Sequence, residues 1–160
     1  MPPDSPNPKF MQQAIDLATA NVAEICGGPF GAVIVRGGEV VATGVNRVTA
    51  TNDPTAHAEI TAIRNACAAL KSFELRDCQI YTSCEPCPMC LAAIYWARLD
   101  AIYFGNAAQD AARAGFDDSF LYTEVGRAHH IRTIPIQRLL PTEAWASFEA
   151  WLKSDCKIPY

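Results

Sequence analysis

At 160 residues, 50% hydrophobic and 19% charged, the chain has the length of one ordinary domain and a composition that excludes a disordered polymer. Its 13 basic and 17 acidic residues leave a net charge of −4, which argues against a grip on long nucleic acid, where phosphate neutralisation calls for a basic face. Apolar runs such as Ala92–Ala97 fall far short of the roughly 20 residues of a membrane span.

The proline-rich, polar start, residues 1–8, reads as a flexible tail and as neither a signal nor a transit peptide, so the expected compartment is the cytoplasm. Lys9 to Cys26 then reads as a helix with Phe10, Ile15, Leu17, Val22 and Ile25 as its apolar residues, stopped by Gly27-Gly28. Gly31–Arg36 and Glu39–Val45 are β-rich runs joined by Gly37-Gly38, a hairpin signal. A polar loop, Asn46–Pro54, feeds a helix in which Ile60, Ile63, Cys67 and Leu70 recur at helical spacing. Next come a short strand at Gln79–Thr82, a turn at Ser83–Pro86, a helix from Pro88 to about Arg98, and a strand at Asp100–Gly105. Asn106–Thr123 reads as loop with about one helical turn, and Ile131–Ile136 as a fifth strand. Thr142–Lys153 closes the chain as a helix with Thr142 as its N-cap and an apolar stripe of Trp145, Phe148, Trp151 and Leu152. This order implies one α/β domain over residues 1–160, with a partly antiparallel sheet covered by helices on both faces.

Seven cysteines without a secretion signal point to a reducing compartment. Cys26, Cys67, Cys78 and Cys156 lie among apolar or helical stretches and read as small hydrophobes. Cys84, Cys87 and Cys90 form a cluster, which means metal or redox chemistry. Cys87 and Cys90 are three apart at a helix start, so both sulfurs lie on one side of one turn. Pro88 suits the first helical position, and the positive end of the helix favours thiolate over thiol. His57 and Glu59 would point about 200° apart in mid-helix, but at a first turn both can lean toward the N-terminus.

One imidazole and two thiolates satisfy Zn²⁺ while leaving a coordination position open, the catalytic rather than the structural arrangement. Glu59 then stands beside the metal as a proton carrier. A redox CxxC or an iron–sulfur cluster would also use these cysteines. The first lacks a thioredoxin-like leading strand; the second needs a fourth ligand and leaves Glu59 unexplained. The pair H-x-E and P-C-x-x-C instead matches the signature of zinc-dependent deaminases.

Over nearly its whole length the chain resembles the cytidine deaminase superfamily, and within it the short bacterial guanine deaminases. The resemblance runs through 27–35 (GGPFGAVIV), 52–59 (NDPTAHAE), 82–90 (TSCEPCPMC), 93–98 (AIYWAR) and 114–120 (AGFDDSF). It implies a three-layer α/β/α fold on a five-stranded mixed sheet, with one zinc ion per subunit held by His57, Cys87 and Cys90. Glu59 and Asp118 take catalytic roles in that resemblance, and Asn46, Phe30, Ala58, Trp96 and Tyr160 contact a small purine. It further implies a homodimer in which C-terminal segments, about 140–160, can be exchanged so that Tyr160 closes the other site. The zinc motifs identify the reaction and not the base. The Gly-Phe-Asp-Asp segment and the terminal tyrosine point to guanine, against a tRNA adenosine deaminase, a deaminase of guanosine or another aminated ring, or a non-enzymatic zinc or redox module.

Overall fold

The computed structural model describes residues 5–25 and 27–160, so Cys26 and the first four positions of the expected tail lie outside the described residues. Of the remaining tail, Asn7 is tied down: its N–H donates to the Tyr81 hydroxyl at 3.1 Å and its Oδ1 accepts the Lys9 N–H at 3.0 Å. With that side chain serving as cap, α1 starts at Pro8 and runs Pro8–Ile25. Its buried stripe is Phe10, Ala14, Ala18 and Asn21, whereas Ile15 and Val22 of the expected apolar set are exposed. Small residues win here because the helix lies against backbone: a Cβ on Gly31 would stand 2.4 Å from the Ala14 carbonyl.

The hairpin forms as β1, Gly31–Arg36, and β2, Glu39–Val45, turning through Gly37 and Gly38, both at positive φ. A short α2, Val48–Thr51, interrupts the expected loop, and α3 follows as Ala58–Leu70. β3 is longer than expected, Cys78–Cys84, and buried throughout. Burial on both faces explains why its sequence shows no alternation. The helix α4, Pro88–Trp96, then supplies the crossover to β4, Ala101–Asn106.

The sheet order is β2-β1-β3-β4, with β1 antiparallel to both neighbours and β3 parallel to β4. Side chains alternate across it, giving two cores. On one face Ala32, Ile34 and Ile80 pack with Ala58, Ala62 and Ala66 of α3 and Ile94 of α4. On the other, Val33, Val35 and Tyr81 pack with Phe10 and Ala14 of α1. These are the three layers. Gly44 admits α3 to the sheet, since a Cβ there would meet the Ala58 carbonyl at 2.3 Å.

After β4 come two helices where mostly loop was expected: α5, Ala108–Arg113, and α6, Ser119–Gly126. Contacts divide the chain into two units, Met1–Ser119 and Phe120–Tyr160. The fifth strand is absent among the described residues: the sheet has four. Residues 131–136 are instead bound to the end of α6. The Thr133 N–H and hydroxyl both donate to the Glu124 carboxylate, and the Arg132 guanidinium donates to the Val125 and Arg127 carbonyls. Pro135 removes a further ladder donor. The last helix, α7, is Pro141–Lys153. It starts one residue before the expected cap because Pro141 takes the first helical position, and Leu140 at φ 48° precedes it.

Candidate metal centre

The centre is built where two helices begin. β3 ends at Cys84, and the chain turns through Glu85 and Pro86 into α4, with Cys87 as its N-cap in extended geometry and Pro88 in the first turn. His57 is likewise the extended N-cap of α3, and its carbonyl accepts both the Thr61 N–H and hydroxyl at 2.9 Å. Because His57 is a cap rather than a helical residue, the 200° separation expected of positions two apart in mid-helix does not arise.

His57 Nδ1 lies 3.6 Å from Cys87 Sγ and 3.5 Å from Cys90 Sγ. Glu59 is 7% exposed, and its Oε2 lies 3.4 Å from Cys90 Sγ. The donor set fits a zinc ion. Tetrahedral coordination with ordinary Zn–S and Zn–N bonds places sulfur about 3.6 Å from nitrogen, the separation these atoms already have. His57, Cys87 and Cys90 are the one metal-capable cluster among the described residues, and a fourth protein donor is not within it. Three ligands with one position open is the catalytic pattern.

The electrostatics agree. Cys87 is pulled down to about 4, first by the hydrogen bond from the Cys90 thiol and further by His57, against the opposing effect of burial. Cys90 is raised as the member of the pair that keeps its proton. His57 is raised, first by its hydrogen bond with Cys87. Glu59 is pushed above the ordinary carboxylate range, first by desolvation, which suits a group that must both hold and release a proton. Cys84 is pushed up to about 11 by burial and its sulfur donates to the Ala107 carbonyl at 3.9 Å, so it is a neutral thiol beside the centre. A three-cysteine cluster is therefore not what this geometry builds.

The other expected site residues divide into two groups. Asn46 is buried, its N–H donates to the Phe30 carbonyl at 3.1 Å, and the neighbouring Arg47 N–H donates to the Ala56 carbonyl at 2.9 Å, next to His57. Ala58, buried, is the first residue of α3. Phe30 stacks edge-on against Phe116 with ring centroids 5.0 Å apart, two residues before Asp118. Asp118 is half-buried and close enough for its charge to raise His57 and to be raised itself by Cys87, after burial. Trp96 is not brought to this cluster. Trp96 ends α4, about 13 Å along its axis from Cys87, and is 64% exposed. Tyr160 belongs to the second unit and is 73% exposed.

Two contributors went unread in the sequence. Glu85 accepts the Ala108 N–H at 3.0 Å, joining the cysteine turn to the start of α5. Asn21 donates from Nδ2 to the Gly28 and Asn46 carbonyls, both at 2.9 Å. Its signal was legible: a polar residue on the buried stripe of α1.

The sequence profile of the cytidine and deoxycytidylate deaminase zinc-binding region matches residues 4–106. The chain belongs to this deaminase family. It is 54% identical over 151 residues to the guanine deaminase of Bacillus subtilis, covering 94% of this chain and 97% of that one. The crystal structure of guanine deaminase from B. subtilis superposes with a TM-score of 0.94 at 51% identity, over 98% of this chain and 99% of the other. A tRNA-specific adenosine deaminase of Agrobacterium fabrum is 42% identical over 102 residues, 64% of this chain and 66% of that protein. The cytidine-deaminase-like α/β fold and a zinc-dependent deaminase activity follow from this membership, with His57, Cys87 and Cys90 as the candidate metal site.

Proposed function

We propose that this deaminase converts guanine and water to xanthine and ammonia. The observation that carries the reading is similarity at 54% identity over almost the full length of both this chain and a guanine deaminase, where the tRNA adenosine deaminase matches under two thirds of the chain. The net charge of −4 also works against a tRNA substrate.

Zinc at His57, Cys87 and Cys90 supplies the Lewis acidity that makes water a nucleophile near neutral pH. Glu59 takes the proton from the attacking water at its carboxylate and passes it to the ring nitrogen beside the carbon that bears the exocyclic amine. The proton left on the added hydroxyl is then carried by Asp118 to the amine, which leaves as ammonia as the carbon–nitrogen bond breaks and the carbonyl forms. Desolvation raises the Glu59 carboxyl toward the working pH, which is where proton transfer in both directions is efficient. Asn46 binds the base: its Oδ1 already accepts the Val48 N–H, and its Nδ2 has no partner among the described residues. Phe30 and Ala58 wall the base and exclude water.

The working unit is a homodimer. No residue of 120–160 is buried, and Trp145, Phe148, Leu152 and Ile158 are all exposed. Apolar surface of this kind in one segment is what an interface between copies covers. Exchange of C-terminal segments would carry Tyr160 to the mouth of the other copy's site. The cytoplasm is the matching compartment for three thiols this close together.

The test is ammonia release by the zinc-loaded protein from guanine, guanosine, adenine, cytosine and aminated triazines, alongside inosine formation in tRNA. Guanine is expected to give the highest kcat/KM. Turnover of tRNA or another ring with none of guanine would overturn the assignment.

A further inference from the structure

We propose that Asn21, a helix α1 residue outside every motif of the centre, is a positioning residue for base recognition. The proposal rests on the reading of Asn46 as the residue that binds the base. Asn21 is 3% exposed and its Nδ2 donates to two carbonyls at once, Gly28 and Asn46, each at 2.9 Å. Its own carbonyl accepts the Gly27 N–H at 3.1 Å, and the Asn46 N–H reaches the Phe30 carbonyl at 3.1 Å. The loop that carries Phe30 and the strand end that carries Asn46 are thus bonded to each other on one side and to a single amide on the other.

The paired glycines record the same arrangement. A Cβ on Gly27 would fall 2.3 Å from Asn21 Nδ2, and one on Gly28 would fall 3.1 Å from Asn46 Cγ. The space two side chains would need is filled by the two asparagine amides. Asn21 therefore touches no reacting atom, yet it sets the backbone from which Asn46 and Phe30 project. Misplacement of that backbone would weaken binding of the base while leaving Glu59 and the metal ligands, which stand on α3 and α4, where they are.

The experiment is a double-mutant cycle with Asn21→Ala and Asn46→Ala, read by guanine kinetics and zinc content on the full-length protein. Asn21→Ala is expected to raise KM about tenfold or more with kcat changed less than about threefold and zinc retained. In the Asn46→Ala background the same replacement should move KM less than about twofold, because the residue it positions is gone. Independent, multiplying effects on KM would overturn the proposal, as would an Asn21→Ala enzyme with unchanged KM or one that loses zinc. Should the alanine variant fail to fold, Asn21→Ser, which keeps one donor, carries the same comparison. If the wild-type protein does not accept guanine, that failure belongs to the proposed function, and the cycle is read on the ring it does deaminate.

Discussion

The two units of the chain solve the problem of stability differently. The first, ending at Ser119, has a core on each face of its sheet and holds Glu59 and all three metal ligands. The second, Phe120–Tyr160, has helices of the right length and an apolar stripe on α7, yet none of its residues is buried. A stretch this short cannot bury enough surface to stabilise itself. An apolar stripe in a sequence says that a helix will be covered; it does not say by what.

The sharpest test of the first unit is its chemistry. Glu59→Gln should retain zinc and lose turnover by at least about a thousandfold, the scale of a general acid–base group; metal analysis with ammonia release reads both, and substantial remaining activity would sink the role. Ile80, fully buried between sheet and helix, should cost about 2–5 kcal/mol as Ile80→Ala in urea unfolding. Truncation at the exposed Trp151 should cost the isolated protomer far less; for the proposed homodimer, Trp145→Ser with Phe148→Ser should shift the sedimenting species from twice 17.4 kDa to one copy, and a wild type that sediments as one copy would sink that proposal. Gly44→Ala should cost about 1–3 kcal/mol by pushing α3 away from β2, and should weaken zinc retention in dialysis, because His57 caps that helix.

The smallest effect belongs to Asp53, half-buried at the entry to α3. Thr55 donates to it from both N–H and hydroxyl, and these bonds, with Arg64, hold its carboxyl below the ordinary 3.8. A lowered folded-state value stabilises the fold above the unfolded value and stops doing so as pH falls through the lowered one. Asp53→Asn should therefore melt slightly lower than wild type at pH 7, with the gap closing below about pH 4; a gap that persists in acid would show that the contribution is not ionic.

The catalytic ligands were legible because their spacing is local. Cys87 and Cys90 share one helical turn, and His57 and Glu59 open another, so H-x-E and P-C-x-x-C carry their geometry within a few residues. The hairpin was legible for the same reason, through Gly37 and Gly38. Ile131–Ile136 was misread because β-branched residues with alternating character favour a strand only when a partner edge is available, and Thr133 bonds to Glu124 instead. In α1 the large aliphatic residues drew attention from Ala14 and Ala18, whose value lies in what they allow to approach.

The amino-acid sequence by itself determined the candidate ligand set, the proposed proton carrier beside it and the order of most elements, since each depends on residues a turn or a hairpin apart. Only the tertiary structure decided that β3 is buried on both faces and that the sheet has four strands. It alone joined α1 to the site through Asn21 and set His57 between two sulfurs that lie thirty and more residues away. Those outcomes depend on contacts across the sheet, where burial and close approach are settled by what arrives from elsewhere in the chain.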